Sequence, residues 1–323
     1  MTHFLQSAFW RAFQESQGVS TISLSGQAGH QWSALALQET GAAHTRRLYV
    51  PYGPSFADEA DLGEALSEIE KAAKEAGDVF VRIEPVGVSL EAEKHARSIL
   101  RARGYSKVEH IQPEDTLIAD VSGGAEAILK NMKGNNRRAY NQAEKRDIHV
   151  RTSTDPADIH YLTELMARVS ERNDVQLREA EYITAQAKSL LPQGAGRIYL
   201  ASTTTSPEGE EIEETVVSAA LAYLDDDTAY YAHAGSDYAW RKANPNIVLL
   251  TQMMIDAANE GRKYVDFYGI APEDAPEDHP WQGFTRFKKS FGGERRTYLG
   301  TWEKPVRRAH YMAYTLGRKL LDR

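Results

Sequence analysis

One order of elements occurs twice in this chain, and that constrains its fold more than any other feature. "VSTISLSG", "QWSALALQET" and "TRRLYVPYG" alternate apolar and polar residues, as half-buried antiparallel strands do. "DLGEALSEIEKAAKEAG" then places Leu62, Leu66, Ile69 and Ala73 on one helical face, with Gly77 as the stop. "DVFVRIEP" reads as a buried strand, "LEAEKHARSILRARG" as a helix ending at Gly104, and "VEHIQPEDTLIADV" as a returning strand. The second half begins with Asp155-Pro156, a cap with proline at the first helical position. A helix follows with Ile159, Leu162, Met166 and Val169 on one face, then a second from Arg178 to Leu191. "GRIYLAST", "ETVVSAALAYLD" and "TAYYAHAGS" are its three strands. "PNIVLLTQMMIDAANEG" is an apolar helix, "KYVDFYGI" a buried strand, "GFTRFKKSFGG" a helix and "RTYLGTW" a strand.

Three strands, a helix, a strand, a helix and a strand is the order of the acetyltransferase-like (GNAT-like) fold. The halves match piece by piece, so the expected class is α/β (α+β) with two tandem GNAT-like domains. Between them lies "KNMKGNNRRAYNQAEKRDIHV", polar and basic, read as a linker helix that opens the second domain. Such an order fixes a fold and says nothing of chemistry.

Several chemistries lack their residues. The 323 residues include no cysteine, which removes disulfides and thiolate chemistry and agrees with a cytoplasmic protein. The start, "MTHFLQSAFWRAFQES", has neither the basic opening nor the apolar core of a signal peptide. An acetyl-CoA site of this fold needs a glycine-rich turn before a helix, yet "VPYGPSFAD" and "AHAGSDYAW" carry one glycine each. The ten histidines include no pair at metal-binding helical spacing, so no metal is expected. Net charge is −8, but residues 286–323 carry +8 and residues 130–151 carry +5. An acidic chain with two basic segments can hold a polyanion locally, or simply solvate two faces. Phe284, Phe287 and Phe291 recur at helical spacing, and Lys288 lies about 100° round from Phe287, bordering that edge. Spacing alone leaves Lys288 and Lys289 as working groups or as a solvated face.

The series "FLQSAFWRAFQ", "MKGNNRRAYNQAEKRDIHV", "YYAHAGSDYAWRKANPNIVLLTQMMIDAANEG", "KYVDFYGI" and "FTRFKKSFGG" resembles the FemABX family. These are tRNA-dependent aminoacyltransferases of peptidoglycan interpeptide bridges. The resemblance implies domains at 1–134 plus 299–323 and at 135–298, the C-terminal segment returning to the first domain. Some members carry a long helical arm in the second domain. Here only "TTTSPEGEEIEE" occupies that place, so a short type without a coiled-coil arm is expected. The implied reaction moves an amino acid from aminoacyl-tRNA to the stem-peptide amine of a peptidoglycan precursor, UDP-linked or lipid-linked. The ester is already activated, so no cofactor is implied. Transfer to a protein or other peptide amine is the competing enzymatic reading, and a non-catalytic scaffold for muropeptide or tRNA the third. A monomer is expected. The basic stretch "VRRAHYMAYTLGRKLLDR" is open to three readings: contact with a membrane surface, contact with tRNA, or a plain surface helix.

The same resemblance assigns residues. Lys288 matches the lysine of the family's Phe-Lys motif, placed to donate to the oxyanion or the leaving ribose oxygen. Arg178 and Tyr182 match an Arg-x-x-x-Tyr pair that holds substrate phosphates from one helical face. His233 stands where the family has a substrate-facing tyrosine. A phosphate-binding lysine falls at Ala12, with Arg11 beside it as the substitute. Glu84 matches a position considered for a general base, and reads equally as a structural carboxylate. Asp266 reads as architectural. Arg137, Arg138, Lys289, Arg295 and Arg296 are the expected tRNA contacts.

Overall fold

The structure is a computed structural model and describes residues 3–27, 29–41, 44–173 and 178–321. From the start, α1 (Ala8–Ser16) precedes strands β1 (Ser20–Ser25), β2 (Trp32–Thr40), β3 (Arg46–Val50) and β4 (Ser55–Phe56). Helix α2 (Glu59–Ala76) follows, capped by the Asp58 carboxylate on Asp61 N and stopped at Gly77, whose φ of 75° is left-handed. Its face Leu62, Leu66, Ile69 and Ala73 is fully buried. Next come β5 (Phe80–Ile83), β6 (Val86–Gly87), α3 (Leu90–Glu93), α4 (Ala96–Ala102) and β7 (Ser106–Lys107). The helix expected over 89–103 is therefore two short pieces.

Further along lie β8 (Asp115–Asp120), α5 (Gly124–Asn131), α6 (Gly134–Asn141), β9 (His149–Ser153), α7 (Ile159–Asn173) and α8 (Ala180–Leu190). Then follow β10 (Gly196–Thr205), β11 (Glu211–Leu224), β12 (Thr228–Ser236), α9 (Pro245–Asn259), β13 (Tyr264–Gly269), α10 (Gln282–Lys289) and β14 (Glu294–Thr297). The chain continues with β15 (Trp302–Pro305) and α11 (Arg308–Leu321). Where a helical arm could sit, β10 and β11 are joined by a tight turn, closed by Ser206 N on Glu210 O at 2.8 Å.

Two units result: residues 1–114 with 297–323, and residues 115–296. The first sheet runs β6-β4-β2-β3-β5-β15-β7, with β1 paired to β2; the second runs β14-β8-β13-β12-β11-β10-β9. These junctions differ from those expected at 134/135 and 298/299. The reason is β8. Read as the last strand of the first half, it pairs instead with β13, Val265 opposite Ala119, and buries Leu117 and Ala119 in the second core. The place beside β5 is taken by β15, Trp302 opposite Ile83.

In each unit a parallel pair has its strands joined through a helix. In the first, β3 runs beside β5, Tyr49 opposite Arg82. In the second, β12 runs beside β13 only from Thr228 to Tyr230, with Tyr230 opposite Asp266. Beyond Tyr230 the two strands are no longer paired, although β12 continues to Ser236.

Candidate functional site

Where β12 and β13 part, the second unit forms an open cavity of about 810 Å³. Its wall includes Tyr231 and Ser236 of β12, Arg172 of α7, Asn246 of α9, and Phe284, Phe287 and Lys288 of α10. Gly235, also in the wall, is where α7 crosses closely: an added Cβ would stand 2.8 Å from Leu165 Cβ and from Met166 N. Among the described residues no three His, Asp or Glu side chains gather as a metal would need. No described helix is long and apolar enough to cross a membrane.

Helix α10 is clamped to the end of β13 and the residues just after it by side chains one turn apart. Thr285 Oγ1 accepts from Ala271 N at 2.8 Å and donates to Trp281 O at 2.8 Å. Lys288 Nζ donates to Gly269 O at 2.7 Å. On the neighbouring edge, Phe291 is buried against Phe267 and Phe287, while Phe284 is exposed and faces the cavity. The expected aromatic edge is thus half core and half cavity wall. Lys288 is half-buried and Lys289 exposed.

The carbonyl that holds Lys288 is itself aimed by a strained turn. Tyr268 has φ 62°, unusual for a residue with a Cβ, and lies in an irregular stretch of the β13–β8 pairing. Asp266 Oδ1 accepts from Tyr268 N at 2.7 Å and from the Thr116 hydroxyl, closing that turn from inside. Both charged groups are shifted. Burial pushes the Asp266 carboxyl up to about 6, against the Thr116 and Tyr268 hydrogen bonds and the Lys288 charge. Burial pulls the Lys288 ammonium down to about 8, and the Asp266 charge opposes that.

The structure gathers Arg178, Tyr182 and His233 around two residues that sequence reasoning missed. Arg178 Cζ lies 5.7 Å from the Tyr182 ring centre. This approach does not come from a shared helical face: α8 begins at Ala180 with Glu179 as its cap, so Arg178 precedes the helix. The missed residues are Gln186 and Tyr223. Tyr223 donates to Gln186 Oε1 at 2.9 Å, and His233 Nε2 lies 3.0 Å from Tyr223 Oη and 3.1 Å from Gln186 Oε1. A neutral ring protonated on Nε2 satisfies this triangle. Burial, aided by the Arg178 charge, lowers His233 to about 4. Only the "EYITAQ" spacing of Tyr182 and Gln186, one turn apart, hinted at the arrangement.

The remaining expected residues separate into free and engaged groups. Arg137, Arg138 and Lys289 are exposed. Arg137 also donates to Leu129 O at 3.0 Å. Arg295 is bound to Asp115 at 2.6 Å and to Ala271 O at 3.1 Å, so its charge is matched inside the unit; Arg296 is half-buried. Arg11 and Glu84 belong to the first unit. Arg11 is paired with Glu15 at 2.8 Å on the surface. Glu84, 4% exposed, accepts from Tyr49 Oη (2.8 Å), Tyr52 N (3.2 Å), Gln112 N (3.0 Å) and Thr301 Oγ1 (2.8 Å). Such a carboxylate joins four segments and has little left for a substrate proton.

Two sheets with this strand order, each with a parallel pair joined through a helix, define a tandem acetyltransferase-like α/β fold. A tandem GNAT protein from the clavulanic acid biosynthesis pathway shares the fold, with a TM-score of 0.54 at 11% identity over 89% of this chain and 83% of that one. The crystal structure of FemX agrees far better, with a TM-score of 0.82 at 19% identity over 96% of this chain and 94% of that one. The FemAB family model matches residues 195–319. That stretch supplies most of the cavity wall, including Lys288. Aminoacyltransferase FemA of Staphylococcus aureus is 29% identical over 114 residues, which is 35% of this chain. The chain covers 27% of the length of that relative.

Proposed function

We propose that this chain is an aminoacyltransferase that moves an amino acid from aminoacyl-tRNA to the stem-peptide amine of a peptidoglycan precursor. The reading rests on one observation: a FemAB-family stretch forms a cavity with a half-buried, carbonyl-held lysine in its wall. In this reaction the amine attacks the ester carbonyl, a tetrahedral oxyanion forms, and the carbon–oxygen bond to the ribose breaks. The amine loses a proton and the ribose hydroxyl gains one. Lys288 has two N–H groups beyond the one given to Gly269 O, so one can meet the oxyanion while the side chain stays fixed. Its low pKa makes its proton easier to share with the leaving oxygen.

Arg178 and Tyr182 suit the acceptor diphosphate, a guanidinium fork beside a phenol. Neutral His233 suits a polar contact with the stem peptide. Exposed Arg137, Arg138 and Lys289 suit the tRNA backbone, whereas Arg295 is better understood as a structural partner of Asp115. Charged tRNA occurs in the cytoplasm, where the chain would act. Incubation with charged tRNA and UDP-linked or lipid-linked muropeptide, followed by mass spectrometry, tests the proposal. A muropeptide lengthened by one residue is expected. A lengthened protein would move the acceptor to another amine, and no product with either would overturn the proposal.

A further inference from the structure

The turn between β12 and α9 holds an exposed aromatic under two cations. Tyr238 is 54% exposed. Arg241 Cζ lies 4.2 Å from its ring centre and Arg172 Cζ 4.7 Å. The turn is fixed from several directions. Asp237 Oδ1 accepts from Ala239 N at 2.9 Å, and its Oδ2 binds Arg168 at 2.5 Å. Trp240 Nε1 donates to Thr205 O at 2.9 Å, and Arg241 Nη1 to Tyr238 O at 3.1 Å. Lys242 follows, also exposed. Arg172 has a second attachment: it stands in the wall of the cavity that holds Lys288.

We propose that Arg172, Tyr238 and Arg241 form a platform for the single-stranded 3′ end of an RNA whose last residue enters the cavity. Each part fits that ligand. A guanidinium gives forked donors to a phosphate, and a guanidinium plane held over a ring offers its outer side for a base to stack on. Stacking on the ring already restrains both arginines, so less freedom is lost when a phosphate arrives. A lipid surface or apolar peptide fits poorly. Among the described residues of this unit, the exposed large apolar side chains are Tyr238 and Phe284. Both are aromatic, and Phe284 lies in the cavity wall. All three platform residues fall outside the two basic segments visible in the sequence, which is why charge counting passes over them.

That the RNA is an aminoacyl-tRNA rests on the proposed function; the platform itself does not. The test is fluorescence anisotropy of the full chain with an RNA minihelix ending in single-stranded ACCA, over a range of salt. Tyr238→Ala with Arg241→Ala should weaken binding about tenfold, as removal of one stacked base does. The salt slope should flatten by about 0.7 for each phosphate no longer neutralised. Arg241→Lys should keep the slope and recover only part of the affinity. A blunt minihelix should bind parent and variant equally. Should the double variant fold poorly, Arg241→Glu on its exposed side chain gives the same readout. Unchanged affinity in a folded variant overturns the platform. Platform-dependent RNA binding without a lengthened muropeptide defeats the proposed function alone. Normal transfer by the double variant, with an unchanged KM for tRNA, defeats the platform alone.

Discussion

Each unit sets a tyrosine opposite a buried charge at the same point of its parallel strand pair, and the two treat that charge differently. In the first, Tyr49 faces Arg82, and Arg82 is bound across the sheet by Glu303, Nε to Oε1 at 2.7 Å, with Tyr311 also donating to Glu303. In the second, Tyr230 faces Asp266, whose cross-strand neighbour is Ile118. The hydrogen bonds to Asp266 come from Thr116 and Tyr268, and the positive charge acting on it is that of Lys288. After the paired stretch the first unit stays closed, with Glu84 N on Val50 O at 3.1 Å and on Gly53 O at 3.0 Å. The second opens into the cavity. A directly bonded buried pair is costly to break, whereas two shifted charges that act on each other without a direct bond, beside a cavity, suit chemistry.

The largest test of that contrast is Arg82→Met. It leaves Glu303 buried without its cation and should cost about 3–5 kcal/mol in urea unfolding. A variant as stable as the parent would break the comparison on the structural side. Lys288→Met tests the other side. Single-turnover rate should fall on the order of 10²–10³-fold, with both substrates still bound. The melting temperature should change little, because relief of a desolvated ammonium offsets the lost hydrogen bond to Gly269 O. Full activity would return Lys288 to a structural role.

Arg178→Ala should weaken binding of a UDP-linked muropeptide by about 1.5–3 kcal/mol in calorimetry. His233 should then titrate above its present value of about 4, since a nearby positive charge has gone; proton NMR reads this directly. Asp266→Asn sharpens the comparison through pH. Lys288 is charged below about 8, so the rate should fall as pH rises through that value. Removing the Asp266 charge lowers the Lys288 pKa further, so this limb should move to lower pH. For Asp266 itself the folded pKa of about 6 exceeds the ordinary 3.8. The protonated carboxyl therefore favours the fold at low pH, and that advantage is lost as pH rises through 6. Asparagine keeps an acceptor for Tyr268 N and Thr116 without the charge. The variant should be no less stable at pH 7.5, with a gain of up to about 3 kcal/mol. The smallest effect belongs to Arg137→Glu with Arg138→Glu, which should flatten the salt dependence of tRNA binding by about 0.7–0.9 for each phosphate these arginines neutralise.

Much of the fold was legible because periodicity reports a face. The α2 stripe with its Gly77 stop and the faces of α7 are visible in the residues. The alternation expected of β2 is not what forms: Ala34, Leu35, Ala36 and Leu37 are all buried, so both faces of that strand are covered. Periodicity does not report a partner, so "DTLIAD" reads as a strand in either sheet, and only its neighbours assign it to the second. The candidate site was legible where one side chain borders an apolar stripe, as Lys288 does. It was not legible where partners meet across long separations. Gln186 reaches His233 over 47 residues, Thr116 reaches Asp266 over 150, and Arg172 reaches Tyr238 from another element. Four-residue spacing misled at Arg178, which meets Tyr182 from outside the helix.

The seat of β15 between β5 and β7 has a consequence for synthesis. Residues 115–296 form one continuous stretch and can close their sheet as they leave the ribosome. The earlier-made residues 1–114 cannot: the strand between β5 and β7 is translated almost two hundred residues later, and Glu303, the counter-ion of Arg82, arrives with it. Until then an apolar strand edge and an unpaired arginine wait in the nascent chain, exposed to wrong partners. The unit made first is therefore the one expected to fold last, and its nascent form should be the natural client of a chaperone.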